Sequence, residues 1–162
     1  MNYHFLNFKL EDTLKNYIES VAGVSAPVWG FGELVAFDEE LAEPWIGVRC
    51  QISEPHADVQ LDAGDGNRYF TAEIAFRTHA AHVFAKDGKT VLRTARDYHA
   101  DFVSQVLDYF FIDSILTDLN KSALAVGNIH INEIDQPSIS TEPVDRSFHT
   151  MATFRILCNP TQ

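Results

Sequence analysis

The sequence predicts an α+β fold: a mostly antiparallel sheet of four to five strands, with an N-terminal helix and a long central helix packed on one face. Three observations predict it. Two stretches repeat apolar residues every three or four positions, as one face of a helix does. Others alternate apolar residues with different ones, as a strand with one buried face does. The order helix, strands, helix, strands leaves successive strands close enough to pair as antiparallel hairpins.

The first helix is expected from about Lys9 to Ala22, on the spacing of Leu10, Leu14, Tyr17, Ile18 and Val21, with Gly23 ending it. Glu11 and Asp12 are expected near its start, where negative charge suits the helix dipole. Between Pro27 and Ala42 the pattern weakens. Val28 and Trp29 precede Gly30-Phe31-Gly32, then Leu34 to Phe37 lead into Asp38, Glu39, Glu40 and Glu43, which reads as a short strand or an irregular edge. Trp45 to Ser53 is a half-buried strand, because Ile46, Val48, Cys50 and Ile52 alternate with Gly47, Arg49 and Gln51.

Glu54 to Asn67, with Pro55, Gly64 and Gly66 among several aspartates, reads as a loop. Arg68 to Thr78 is the next strand, with Phe70, Ala72, Ile74 and Phe76 on one face. The turn signal Lys86-Asp87-Gly88-Lys89 makes His79 to Lys89 a connection or a short hairpin arm. From about Val91 or Thr94 to Phe111 the helical spacing returns through Ala95, Tyr98, Phe102, Val106, Tyr109 and Phe110. It is expected to continue, kinked, through Ile115, Leu116 and Leu119 to Gly127. Tyr98, Phe102, Val106 and Tyr109 or Phe110 are expected to pack on Phe70, Ile74 and Phe154. A short strand over Asn128 to Ile134 and a long one over Ser147 to Cys158 complete the chain.

At 162 residues, with no repeat and no linker, residues 1–162 read as a single domain. The chain is 46% hydrophobic and holds 12 Phe, 5 Tyr and 2 Trp, enough large apolar surface for a real core and against intrinsic disorder. The net charge of −11 argues against wrapping nucleic acid and against anionic membranes. Cys50 and Cys158 lie far apart in apolar runs and read as core fillers rather than a disulfide framework. Neither a secretory leader nor a membrane-spanning run is evident, which predicts a reducing cytoplasm.

Signatures of catalysis are missing. Gly30-Phe31-Gly32 is too short for a dinucleotide fingerprint, and there is no Gly-x-Ser-x-Gly elbow, phosphate-binding loop, Cys-x-x-Cys or His-Glu-x-x-His. His79 and His82 form the only close histidine pair. Glu54, His56 and Asp58 alternate and Asp62 and Asp65 follow, a set of carboxylates of the kind that holds Mg²⁺ in phosphoryl chemistry. A small metal-dependent hydrolase or nuclease would use Glu54, His56, Asp58 and Asp62, with His79 and His82. It would also want a lysine on a neighbouring strand, and Glu73-Ile74-Ala75 has none. A solvated acidic loop is the simpler reading, so no enzyme, cofactor or metal is expected. A third class, a soluble ligand-binding domain using the aromatic surplus, would need an apolar cavity left after the helices pack.

Three features together carry a family likeness. The amphipathic helix over Leu10 to Ile18 precedes a strand-rich half; a long central helix follows a strand and a loop; and Glu142-Pro143-Val144-Asp145-Arg146 runs into the strand Phe148 to Cys158, with Asn159-Pro160 behind. In this arrangement the chain resembles the tail-terminator, or tail-completion, proteins of long-tailed bacteriophages and the small neck and tail-tube-capping proteins related to them. The resemblance implies a non-catalytic virion subunit, present in the host cytoplasm during assembly. It would form a homohexameric ring that ends tail-tube growth and meets tail-tube protein on one side and head or neck connector proteins on the other. DNA would pass through without specific binding, consistent with an acidic lumen, and no membrane would be involved. The expected subunit or tail-tube interface comprises Glu54, His56, Asp58, Asp62, Asp65, Arg68, His79, His82 and Phe84, on or beside two connections longer than compact domains usually carry.

Overall fold

A computed structural model describes residues 6–21, 24–30, 42–52, 68–127 and 129–159. The order is α1 (Leu6–Val21), β1 (Val28–Gly30), β2 (Trp45–Ile52), β3 (Arg68–His79), β4 (Val83–Phe84), β5 (Val91–Arg93), α2 (Ala95–Leu107), α3 (Ile115–Val126), β6 (His130–Ile134), β7 (Ser138–Val144) and β8 (Ser147–Asn159). The fold is α+β, as expected. The main sheet has six strands in place of four to five. It runs β1-β2-β3-β8, with β6 and β7 end to end along the far side of β8, and only β1 pairs in parallel, with β2.

The alternation read from the sequence sets the buried face. Ile46, Val48 and Cys50 of β2, Phe70, Ala72, Ile74 and Phe76 of β3, and Ala152, Phe154, Ile156 and Cys158 of β8 enter one core with the apolar sides of the three helices. Phe148, on the same side of β8, is only half-buried. The core-facing side of α1 carries Leu6, Leu10, Leu14, Tyr17 and Ile18. Because α1 begins at Leu6 rather than Lys9, Glu11 and Asp12 fall beyond the first turn, and the dipole role expected for them does not hold. Glu11 is instead buried, and its Oε1 accepts a hydrogen bond from the Cys50 backbone N at 2.9 Å. The parallel strand β1 reaches only Val48, so Glu11 supplies an acceptor where the ladder on that edge of β2 has run out.

The long central helix is two helices. Thr94 caps α2, its hydroxyl accepting from Asp97 N at 3.1 Å. After Leu107 the backbone tightens into a 3-10 turn over Asp108–Phe110. That turn drives Phe110 inward, its ring centroid 5.5 Å from both Tyr17 and Phe154. The chain then reverses into α3, which lies antiparallel to α1: Lys9 Nζ is 3.5 Å from Gly127 O near one end, and Tyr17 faces Asp118 near the other. Within α2, Phe102 and Val106 are buried as expected, whereas Tyr98 is half-buried under the Arg93 guanidinium and Tyr109 is exposed. The inward position next to Tyr98 belongs to His99.

Three strands were not evident in the residue pattern. The β7 segment has no buried apolar face and is held by its backbone ladder to β8. The two-residue turn between them places Asp145 at φ 52, a left-handed conformation that aspartate tolerates. The others are the pair β4–β5, a separate two-stranded sheet: β4 falls in the stretch expected as a connection or short hairpin arm, and β5 takes Val91–Arg93, so the helix starts after Thr94 rather than at Val91.

Candidate functional site

The β4–β5 hairpin is built by its turn. Asp87 Oδ1 accepts from Lys89 N and Thr90 N, both at 2.9 Å, and Oδ2 accepts from the Thr90 hydroxyl at 2.7 Å. These bonds, those to Thr90 first, hold the Asp87 carboxyl down to about 2. Gly88 sits at φ 69, where a side chain would be strained, and the turn closes through Gly88 N to Ala85 O at 3.0 Å and Ala85 N to Thr90 O at 2.8 Å. The root is anchored as well: Ala80 N donates to Arg146 O at 2.7 Å, and His82 Nδ1 accepts from Ala95 N at 3.0 Å.

The hairpin surface is unusual. Val83, Phe84, Val91 and Leu92 are 44%, 50%, 45% and 66% exposed, so all four apolar side chains of the two strands face solvent. Two-stranded ribbons are marginal in water unless they cover something, and this one leaves its own apolar surface uncovered.

A second feature lies on the sheet face opposite the core. The ladders align residues in rows across the strands: Trp45, Arg77, His149 and Glu142; then Gly47, Ala75, Met151 and Ser140; then Arg49, Glu73, Thr153 and Ser138. The middle row is small on β2 and β3 while the rows on either side are large, and this leaves a cleft of about 280 Å³. Its charges are already matched. Arg49 pairs with Glu73, and Arg77 Nε lies 2.9 Å from Glu43 Oε1 as a charge contact whose N–H is not aligned for a hydrogen bond. Glu43 also accepts from the Ser147 hydroxyl and lies 3.5 Å from His79 Nδ1. Burial and then Arg77 lower the pKa of His149, with Glu142 opposing them.

A buried polar chain lies on the core face of the sheet, where Thr150 pairs with Phe76. His99 is 3% exposed, with Nδ1 2.7 Å from the Thr78 hydroxyl and Nε2 2.6 Å from the Thr150 hydroxyl, which is 2.7 Å from that of Thr141. Its ring lies tilted against that of Phe148, with centroids 5.6 Å apart. Burial, followed by repulsion from His149, holds its pKa below the usual histidine value.

Of the interface residues expected from the sequence, Glu54, His56, Asp58, Asp62 and Asp65 lie outside the described residues, as do Asp38, Glu39 and Glu40. His82 and Phe84 come together, ring centroids 6.2 Å apart, at the hairpin root. His79 ends β3 and turns to Glu43, so the histidine pair is divided between two partners. Arg68 opens β3 opposite Cys158, about 36 Å of extended chain from His79, and does not share their surface. Val83, Val91 and Leu92 were missed, although two apolar pairs flanking an Asp-Gly turn are a hairpin signal. Among the described residues no three His, Cys, Asp or Glu gather as a metal site, and no helix is long and apolar enough to cross a membrane. No known family model matches the chain, and no curated protein matches it.

Proposed function

We propose that the chain is a structural assembly subunit of a virion: a ring-forming tail terminator that caps the tail tube of a long-tailed phage and provides the surface joined by the head or neck. One observation carries the assembly part of this reading. The β4–β5 hairpin has a hydrogen-bonded turn and an anchored root, yet its four apolar strand residues remain 44% to 66% exposed. An ordered arm with an uncovered apolar surface is suited to a neighbouring subunit. The phage setting comes from the resemblance in element order, and the reading uses no catalytic residue.

The test is electron microscopy of the protein mixed with its cognate tail tubes. An added ring of density at the tube end is expected, lost with Leu92→Asp. Tube ends unchanged by the wild-type protein, together with virions that assemble normally when its gene is deleted, would show the reading to be wrong.

A further inference from the structure

The hairpin carries a charge as well as an apolar surface. Between His82 and Arg93 stand Lys86, Lys89 and Arg93 against Asp87 alone, a net +2 in a chain of net −11. Arg93 pairs with Asp101, whereas Lys86 and Lys89 are exposed at the tip with no ion-pair partner among the described residues. Whatever covers this arm should combine apolar surface with negative charge.

One surface of the same chain does. From Asp97 to Asn120 there are five aspartates and no lysine or arginine. At the corner between α2 and α3, Tyr109, Phe111 and Ile112 are 38%, 44% and 40% exposed, flanked by the exposed carboxylates of Asp108 and Asp113. A groove of about 520 Å³ lined by Arg93, Asp101, Ser104, Gln105, Asp108 and Tyr109 leads along α2 to this corner. The hairpin is rooted at the N-terminal end of α2 and the corner lies at its C-terminal end, about 20 Å away along the axis.

We infer that the β4–β5 hairpin of one copy seats on the α2–α3 corner of the next. The inference rests on the assembly reading and names its two surfaces. Val83, Phe84, Val91 and Leu92 cover Tyr109, Phe111 and Ile112, while Lys86 and Lys89 meet Asp108 and Asp113. Because the two patches differ and lie apart on one chain, each copy offers a hairpin and a corner at once. The contact is therefore head-to-tail, and it continues from copy to copy until the rotation closes a ring.

The test uses the full chain in two parts. Phe84→Cys and Ile112→Cys variants are mixed under mild oxidation; the native Cys50 and Cys158 are buried and do not compete. A disulfide-linked dimer is expected from the mixture and not from either variant alone. In sedimentation at low salt, Lys86→Glu/Lys89→Glu should weaken association about tenfold or more, and so should Asp108→Lys/Asp113→Lys. Mixing these two charge-reversed variants restores association, because every hairpin then finds an opposite corner.

Association that ignores both reversals and yields no mixed disulfide would overturn this docking while leaving the assembly reading in place. A chain that stays monomeric up to its solubility limit and yields no mixed disulfide would overturn the docking too, with the tail-tube experiment deciding the assembly reading separately. Binding of the wild-type chain to phosphatidylserine vesicles or duplex DNA that is lost in Lys86→Glu/Lys89→Glu, again without the mixed disulfide, would assign the arm to another partner and overturn it.

Discussion

Replacing His99 with alanine tests the buried polar chain that ties α2 to the sheet. The imidazole bridges Thr78 on β3 and Thr150 on β8, and all three residues are at most 3% exposed. In His99→Ala, Thr150 keeps the Thr141 hydroxyl at 2.7 Å, whereas Thr78 loses the partner that its hydroxyl has in the core. An orphaned buried hydroxyl costs about 1–3 kcal/mol, and the space left by the ring adds to it, so a loss of about 2–4 kcal/mol is expected. The assay is the urea midpoint at constant slope. Adding Thr78→Val removes the orphan, so the double variant should be no less stable than His99→Ala. A loss under about 0.5 kcal/mol, or strictly additive losses in the pair, would refute the bridge.

The same site sets a pH dependence. Burial keeps His99 and His149 below the usual histidine pKa in the folded chain. On acidification through about 6.5 the unfolded chain therefore takes up protons that the folded chain refuses, so stability is complete above that pH and falls below it. His99→Ala should flatten part of this loss and leave the part due to His149. An acid limb identical in variant and wild type would sink the assignment.

Phe102, 6% exposed with its ring edge-on to Phe76 at 6.1 Å, should cost about 3–5 kcal/mol when cut to alanine, and an unmoved denaturation midpoint would place α2 wrongly on the sheet. Glu11→Ala should cost about 1–3 kcal/mol by leaving Cys50 N without its acceptor, while Glu11→Gln, which keeps an oxygen there, should cost less; equal losses would argue against that bond. Burial pushes the Cys158 thiol up to about 12 and raises Cys50 as well, so a thiol reagent at pH 8 should label neither until urea unfolds the chain. Prompt labelling of the native protein would contradict the burial of both thiols in the core.

What could be read in advance was whatever repeats an apolar period. The α1 helix and the strands β2, β3 and β8 each bury one face, and their residues announced it. The β7 strand did not, because Ser138 to Val144 gains its place from backbone pairing rather than from burial. A kink was legible, but a full break between Leu107 and Ile115 was not: Phe110, Phe111 and Ile112 are all apolar, yet one is buried and two are exposed. His99 escaped because a polar residue on an inward helical position reads as an interruption of the stripe. The candidate arm was legible as a turn and one alternative hairpin arm, but its second strand was not, since an apolar residue facing solvent looks, in a sequence, like one facing a core.

The position of β8 bears on how the chain reaches this state. Its ladder to β3 joins residues 68 apart at His79 and Ser147 and 90 apart at Arg68 and Cys158, and on its other side it holds β6 and β7. The hairpin with β7 can form quickly, but the middle of the sheet must wait for a long loop to close. Until then β3, which carries Phe70, Ile74 and Phe76, lacks its β8 partner along one edge. Chain concentration during synthesis should therefore decide between one molecule closing on its own β8 and two molecules exchanging it, which makes strand swapping the characteristic misassembly of this fold.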